Sequence, residues 1–260
     1  MVSRLAKVRK AVVDVLSGPR IVFHHLPKCG GTSIQRALHL RYAASFAGFP
    51  SLQIQQTVDA LNPGTDPMRR AQILQEFQTK LLLFNLYRDM RCIAGHVRFS
   101  ETAHSIFSKQ YTFITTLREP VSLMISRFFY QKYLASDVWR KYEDIDSYLE
   151  SPEAHLFGSY FSYFFNSLPA DADPRTPEAI AGAKENLRKF DVIGFVDDME
   201  GFKRDVRDRT GIRLRIGVAN RSKVDKATHE SIITSEVREK IAQLSSTNTE
   251  IYDFARRELR

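Results

Sequence analysis

Residues 21–42 read IVFHHLPKCGGTSIQRALHLRY, and this stretch decides the fold of the 260-residue chain. Its apolar opening, IVF, predicts a short buried strand. The chain then breaks at Pro27 and passes through the glycine pair Gly30-Gly31. A helix follows, with apolar residues at helical spacing, and its mostly apolar face is expected to pack against a sheet.

A strand, a glycine turn and a helix N-terminus together predict an anion-binding site. The first backbone N–H groups of the helix have no intrahelical partner, and the helix dipole adds positive potential at the turn. Lys28 supplies a mobile cation. Thr32 and Ser33 supply hydroxyl groups at a place where such residues often cap a helix. The expected ligand is a phosphate or sulfate ester.

The order of residues in this loop differs from that of nucleoside triphosphatases, whose phosphate loop reads G-x-x-x-x-G-K-[ST]. Here Lys28 precedes Gly30, and Thr32 follows Gly31 directly. The part of that motif that binds Mg²⁺ is therefore absent from the sequence. A glycine turn that merely joins a strand to a helix remains the alternative.

Residues 92–97, CIAGHV, predict a second strand, which ends in glycine with His96 beyond it. Ligands collect where the strands of an open α/β sheet end, and histidine can act as a base near neutral pH. The alternative is a histidine that only caps a loop. His104 is the nearest rival, while His24 and His25 are interpreted as structural.

Residues 111–133, YTFITTLREPVSLMISRFFYQKY, predict a central strand followed by a helix. Arg118 stands at the strand end, and Ser126 follows eight residues later. A guanidinium binds phosphate through two hydrogen bonds and a serine hydroxyl adds a neutral donor, so the pair suits a phosphate. The alternative is an ion pair between Arg118 and Glu119 or Asp89.

The remaining segments predict further elements. Proline and glycine in residues 48–67 indicate a loop with one short strand or helix inside. Helices are expected over 68–86, 139–149, 152–168, 178–190, 199–210, 228–244 and 247–259, and a late strand over 191–196. The aromatic run at 157–165 is expected in the core, with a sugar-binding cleft or a dimer surface as the alternatives.

The three quoted stretches resemble the motifs of sulfotransferases that use 3′-phosphoadenosine 5′-phosphosulfate (PAPS). P-K-C-G-G-T-S looks like their 5′-phosphosulfate loop, and Arg118 and Ser126 match their 3′-phosphate motif. The G-H-V triplet is similar to the catalytic segment of heparan sulfate 2-O-sulfotransferases, with His96 as the matching residue. That branch often carries another histidine two positions earlier, where this chain has Ala94.

The resemblance implies an α/β, P-loop-like three-layer fold with a central, mostly parallel sheet flanked by helices. We expect a basic segment at residues 1–20 and a single sulfotransferase domain at 21–260. In the implied reaction, His96 is the general base, Lys28 neutralises the leaving oxygen, and PAP (adenosine 3′,5′-bisphosphate) is the product. No metal is implied. The implied donor-binding residues, the last three in a loosely matching late basic loop, are Lys28, Cys29, Gly30, Gly31, Thr32, Ser33, Arg118, Ser126, Arg221, Ser222 and Lys223.

The two cysteines, Cys29 and Cys92, are too few for a disulfide framework, so a reducing compartment is expected. Lys28 and the helix N-terminus would lower the pKa of a loop thiol at Cys29. We nevertheless favour an inert thiol, and we regard a bridge to Cys92 as the lesser alternative.

The formal net charge is +8, with surpluses of four positive charges in residues 1–20 and six in 201–226. A solvated basic face is the simple interpretation, and an anionic partner is the sharper one. No zinc-finger or RNA-binding signature supports nucleic acid. The similarity and the late basic segment favour a glycan acceptor, an anionic one among the options. Another hydroxyl-bearing acceptor and a homo-oligomer are left open.

No apolar run reaches the length of a membrane span, and the N-terminus does not resemble a signal peptide. We therefore expect a cytoplasmic, bacterial enzyme, with the lumenal domain of a membrane-anchored enzyme as the alternative. Three other functions stay open: a small-molecule kinase using ATP and Mg²⁺, a non-catalytic nucleotide-binding protein, and a basic nucleic-acid binder.

Overall fold

A computed structural model describes residues 18–133, 142–217 and 224–260. Its centre is a five-stranded sheet in the order β2-β3-β1-β4-β5, in which every neighbouring pair of strands is parallel. The strands are β1 (Arg20–His24), β2 (Phe46–Gly48), β3 (Cys92–Gly95), β4 (Tyr111–Leu117) and β5 (Val192–Phe195).

Helices connect the strands, as parallel pairing requires. A short 3₁₀ turn, Ala43–Ser45, lies between the first helix and β2. The described α-helices are α1 (Gly31–Tyr42), α2 (Ser51–Leu61), α3 (Pro67–Tyr87), α4 (Glu101–Phe107), α5 (Pro120–Tyr133), α6 (Ile145–Leu149), α7 (Pro152–Gly158), α8 (Tyr160–Phe165), α9 (Pro177–Leu187), α10 (Met199–Thr210), α11 (Lys226–Ile232), α12 (Ser235–Leu244) and α13 (Ser246–Glu258).

The two faces of the sheet carry separate apolar cores. On one face, Ile34 and Leu38 of α1 and Phe202 of α10 pack against Ile21 and Phe23 of β1. The other face is covered by a larger core that includes residues of α3, α5, α8, α9 and α13. The α/β three-layer fold with a parallel central sheet, expected from the sequence, is confirmed.

The carboxyl ends of β1, β3 and β4 lie side by side. His24 pairs in register with Gly95 on one side and with Thr115 on the other. The loops that follow these strands therefore open at one edge of the sheet, and they contain the three stretches that the sequence singled out.

Several elements differ from the sequence-based expectation. The segment at 48–67, expected to be a loop with one short strand or helix inside, consists largely of the 11-residue helix α2, and β2 was not predicted. One helix expected over 228–244 is two, because the Thr234 side chain accepts a hydrogen bond from Val237 N and starts α12. A helix expected from Trp139 begins in the described residues only at Ile145, where Asp144 caps α6.

The helix expected over 152–168 is also two helices. It breaks after Gly158, where an added Cβ would stand 2.2 Å from the Leu244 carbonyl oxygen. Four of its aromatic side chains are buried in the core, as expected: Phe157, Phe161, Phe164 and Phe165.

Across residues 18–133, 142–217 and 224–260, no helix combines the length and apolar character needed to cross a membrane. The division into a basic segment at 1–20 and one domain at 21–260 stays a prediction. Most of that basic segment, residues 1–17, lies outside the described residues.

Candidate active site

The loop between β1 and α1 has an unusual backbone. Gly30 adopts a left-handed conformation with φ of 74°, and Lys28 also has a positive φ, 65°. A non-glycine residue seldom adopts this conformation, which occurs disproportionately at ligand-binding sites. The loop is held from β4, where the Thr116 hydroxyl donates to the Cys29 carbonyl oxygen at 2.8 Å.

Helix α1 begins at Gly31 with Gly30 as its N-cap, and no described side chain caps it. The expectation that Thr32 or Ser33 caps this helix is therefore wrong, because both residues lie inside its first turn. Ser33 N donates to the Gly30 carbonyl oxygen at 3.2 Å, whereas the N–H groups of Gly31 and Thr32 have no intrahelical acceptor. Together with the dipole of a 12-residue helix, they make this end suited to an anion.

Lys28 is close to two arginines. Burial, followed by the positive charges of Arg127 and Arg118, lowers the pKa of Lys28 to about 8. Its Nζ lies 3.8 Å from the centre of the Tyr130 ring on α5. Three neighbouring cations raise the local positive potential, which favours a ligand with several negative charges.

Arg118 contacts the loop rather than a carboxylate. Its Nη1 donates to the Lys28 carbonyl oxygen at 3.2 Å. Of the two acids proposed as alternatives, Asp89 pairs with Arg20 at 2.6 Å. The Glu119 carboxylate instead accepts hydrogen bonds from the first N–H groups of α5.

Ser126 lies two turns into α5, half-buried, on the helix that follows Arg118. The neighbouring Arg127 was not singled out from the sequence. Its guanidinium binds Glu153 of α7 at 2.5 Å, and Gln131 donates to the same carboxylate oxygen at 2.7 Å. These bonds hold Arg127 where its charge lowers the pKa of both Lys28 and His96.

His96 follows β3 directly, and its Nδ1 lies 2.6 Å from the His25 carbonyl oxygen. A carbonyl oxygen only accepts, so Nδ1 carries the proton in the neutral imidazole. Nε2 then holds the lone pair, and it hydrogen-bonds to no described residue. Burial lowers the pKa of His96, and the charge of Arg127 lowers it further. The neutral, proton-accepting form is therefore present at neutral pH.

His96 opens onto a cleft of about 370 Å³ between α1 and the β2–α2 junction. Within the described part of the chain, no carboxylate lines it. The lining residues are His25, Thr32, Gln35, Arg36, His39, Phe46, Phe49, Ser51, Gly95 and His96.

Two other histidines considered from the sequence do not line this cleft. His24 is buried among aromatic rings and its Nδ1 donates to the Val97 carbonyl at 2.9 Å, in agreement with a structural role. His104 packs against Phe113 and donates from Nε2 to the Lys189 carbonyl at 3.1 Å. His25, interpreted as structural, lies instead in the cleft wall.

Cys29 does not present its thiol to the loop surface. The side chain is buried in the apolar core, and burial raises its pKa to about 12. The preference for an inert thiol over a reactive one agrees with this environment. Cys29 and Cys92 are both free thiols. A donor-binding role for Cys29 would therefore have to come from its backbone, whose N–H and carbonyl already have partners.

Part of the expected site falls outside the described residues, namely Arg221, Ser222 and Lys223. In the described ranges, no group of three or more histidine, cysteine, aspartate or glutamate side chains is arranged to hold a metal ion.

Fold and site together define an α/β protein in which an uncapped helix N-terminus, suited to an anion, lies beside a neutral histidine. A family model described as "Sulfotransferase family" matches residues 13–255, nearly the whole chain. The chain therefore belongs to the sulfotransferase family. No curated protein sequence matches it significantly.

Proposed function

We propose that this protein transfers the sulfuryl group of PAPS to a hydroxyl of an anionic glycan. One observation carries the proposal: the uncapped start of α1 and the proton-accepting His96 both contact His25. An anionic leaving group and a base thus have adjoining sites. The choice of a glycan acceptor follows the similarity of the G-H-V segment to that of heparan sulfate 2-O-sulfotransferases.

We assign the donor to the loop between β1 and α1 and to the segment that runs from Arg118 into α5. The 5′-phosphosulfate lies across the start of α1, where Gly30, Gly31, Thr32 and Ser33 contribute N–H or hydroxyl groups and Lys28 contributes charge. Arg118 and Ser126 hold the 3′-phosphate. Support comes from the three clustered cations, because a donor with several negative charges offsets their mutual repulsion.

His96 supplies the base. Its Nε2 takes the proton of the acceptor hydroxyl while the hydroxyl oxygen attacks sulfur. The bond between sulfur and the 5′-phosphate oxygen breaks, and Lys28 neutralises the charge that develops on that oxygen. The products are a sulfate ester, PAP and a proton held on His96. Positioning and electrostatics supply most of the rate enhancement in such a transfer.

The acceptor is assigned to the cleft beside His96. Phe46 and Phe49 offer apolar surface to a sugar ring, and His39 stacks on Phe46 with ring centres 4.7 Å apart. Arg36 is exposed in the same wall and no described carboxylate accompanies it. These features favour an acceptor that carries its own carboxylate or sulfate.

Transfer of radiolabelled sulfate from PAPS tests the proposal. We expect labelling of an N-sulfated uronic acid polysaccharide and little labelling of a neutral glucan. Arg36→Ala should raise KM for the acidic polysaccharide about tenfold with kcat nearly unchanged. Arg69→Ala removes an exposed arginine of α3 that does not line the cleft, and is the matched control. Labelled phosphate transfer from ATP with Mg²⁺, in place of sulfate transfer, would contradict the proposal.

The cytoplasmic location, the bacterial origin and the donor-binding role of Arg221, Ser222 and Lys223 stay predictions.

A further inference from the structure

The side chain of His25 lies between the start of α1 and His96. Its ring centre is 4.2 Å from that of His96, with the ring planes 35° apart. It also stacks on Phe23 of β1, with centres 5.6 Å apart and planes 9° apart. His25 is buried at the edge of the cleft, so these contacts fix its ring in one place.

His25 is also packed directly onto the anion-binding end of α1. A Cβ added at Gly31 would stand 1.8 Å from the His25 ring. Only glycine at this first helical residue leaves room for the imidazole. One turn later on the same helix, Gln35 Oε1 lies 3.1 Å from His25 Nδ1 and accepts its hydrogen bond. Helix α1 thus holds the ring at two points.

His96 is held by His25 in turn. The His25 carbonyl oxygen accepts the Nδ1–H of His96 at 2.6 Å, and the His25 ring covers part of the His96 ring. The first contact determines which nitrogen of His96 carries the proton, and the second excludes water from the imidazole. A chain of contacts therefore runs from Gly31 and Gln35 through His25 to the base.

We infer that His25 is a positioning residue, which orients His96 and keeps it dry by joining it to the N-terminal turn of α1. The inference rests on the proposed function for its catalytic meaning, since His25 acts through His96 and not on substrate. In this chain, the first residue after β1 supplies the second imidazole of the site.

Burial and the nearby His96 lower the pKa of His25 to about 3, so His25 is neutral wherever the enzyme works. Two other charged groups act on this pair, Lys28 of the loop and Arg127 of α5. Arg36 and His39 of α1 line the same cleft. They remain in place in a His25 variant, so a change in His96 titration reports on His25 itself.

The test compares His25→Ala, His25→Phe and His104→Ala, which removes a half-buried histidine outside the cleft. The imidazole of His96 is titrated by NMR in the free protein, and kcat and the affinity for PAP are measured beside it. In His25→Ala, water reaches His96, so its pKa should rise toward the ordinary 6.5 and kcat should fall about 10²-fold. PAP affinity should change less than about threefold. His25→Phe keeps the stacked ring and should restore the low pKa of His96.

An unchanged His96 titration in a folded His25→Ala protein would overturn the inference, as would an equal shift in His104→Ala. The titration needs no turnover. If wild-type protein transfers no sulfate while the His96 pKa still shifts in His25→Ala, the proposed function fails and the placement of His25 stands.

Discussion

The bond between His96 Nδ1 and the His25 carbonyl decides which nitrogen of the base can accept a proton. A lone histidine after a strand is ambiguous from sequence, because nothing in the residue order shows which acceptor its ring will meet. At this site the acceptor is a main-chain carbonyl, which any residue at position 25 would provide. The backbone thus sets the tautomer of His96, and the His25 side chain excludes water from the His96 ring.

We expect His96→Ala to lower kcat by about 10²–10⁴-fold while the affinity for PAP is retained. A base works only when unprotonated, so activity falls as pH drops through the pKa of His96. Because burial lowers that pKa, the acid limb of the kcat/KM profile should lie below pH 6.5. The profile is measured for wild type, His96→Ala and the exposed-site control His155→Ala. A full-rate His96→Ala enzyme would remove His96 from the mechanism.

Lys28 gives a second pH dependence, on binding. Its lowered pKa of about 8 means that the free protein loses this charge just above neutrality. Each further pH unit should therefore weaken PAP binding up to about tenfold. Lys28→Arg keeps its charge at every working pH and should flatten the dependence. Calorimetry between pH 7 and 9.5 measures both proteins, and parallel curves for the two would exclude Lys28 as the titrating group.

Residue types at this site were predictable, but their contacts were not. Lys28 and Arg118 stand in short motifs whose spacing indicates an anion site. His25 follows β1 and Arg127 lies in α5. These two residues act on His96 only because the fold brings their elements to the end of β3. Arg127 stands next to Ser126 in the same sequence motif, yet its ion pair with Glu153 depends on the position of α7.

At the scale of elements, the break between α7 and α8 shows how a neighbouring helix overrides a helical pattern. Asn248 of α13 lies at the break. Its Oδ1 accepts from Phe161 N and its Nδ2 donates to the Phe157 carbonyl, both at 2.8 Å. One buried side chain thereby satisfies the main-chain groups that the break leaves unpaired. No local pattern in residues 152–168 contains this information.

We expect Asn248→Ala to lower the free energy of unfolding by roughly 2–5 kcal/mol, because two buried main-chain groups lose their partners. Urea unfolding measures the change, and Ser246→Ala, an exposed residue of the same helix, is the matched control. A loss below about 1 kcal/mol would show that water replaces both bonds.

Long elements with clear periodicity were predicted well, as α3, α5 and α10 show, and so were β1, β3 and β4. β2 was missed because three residues are too few to show a strand period. It pairs with β3 and carries Phe46 into the cleft wall. The acceptor side of the site was accordingly the part least visible in the sequence.

At the scale of the whole molecule, three cations from separate parts of the chain lie together where the parallel strands end. Lys28 comes from a loop, Arg118 from a strand end and Arg127 from a helix. The positive charges of both arginines lower the pKa of Lys28, so the three side chains lie close together. The arrangement explains why motifs separated by some 90 residues form one site, since parallel strands bring their carboxyl ends to the same edge. The central claim is that this edge binds a nucleotide with both a 5′- and a 3′-phosphate.

Calorimetric titration of the full chain with adenosine 3′,5′-bisphosphate, beside ATP with Mg²⁺, tests that claim most directly. We predict strong binding of the bisphosphate and weak binding of ATP. Arg118→Ala should weaken the bisphosphate at least tenfold and adenosine 5′-monophosphate much less. Tighter binding of ATP with Mg²⁺ than of the bisphosphate would contradict the account and favour a kinase.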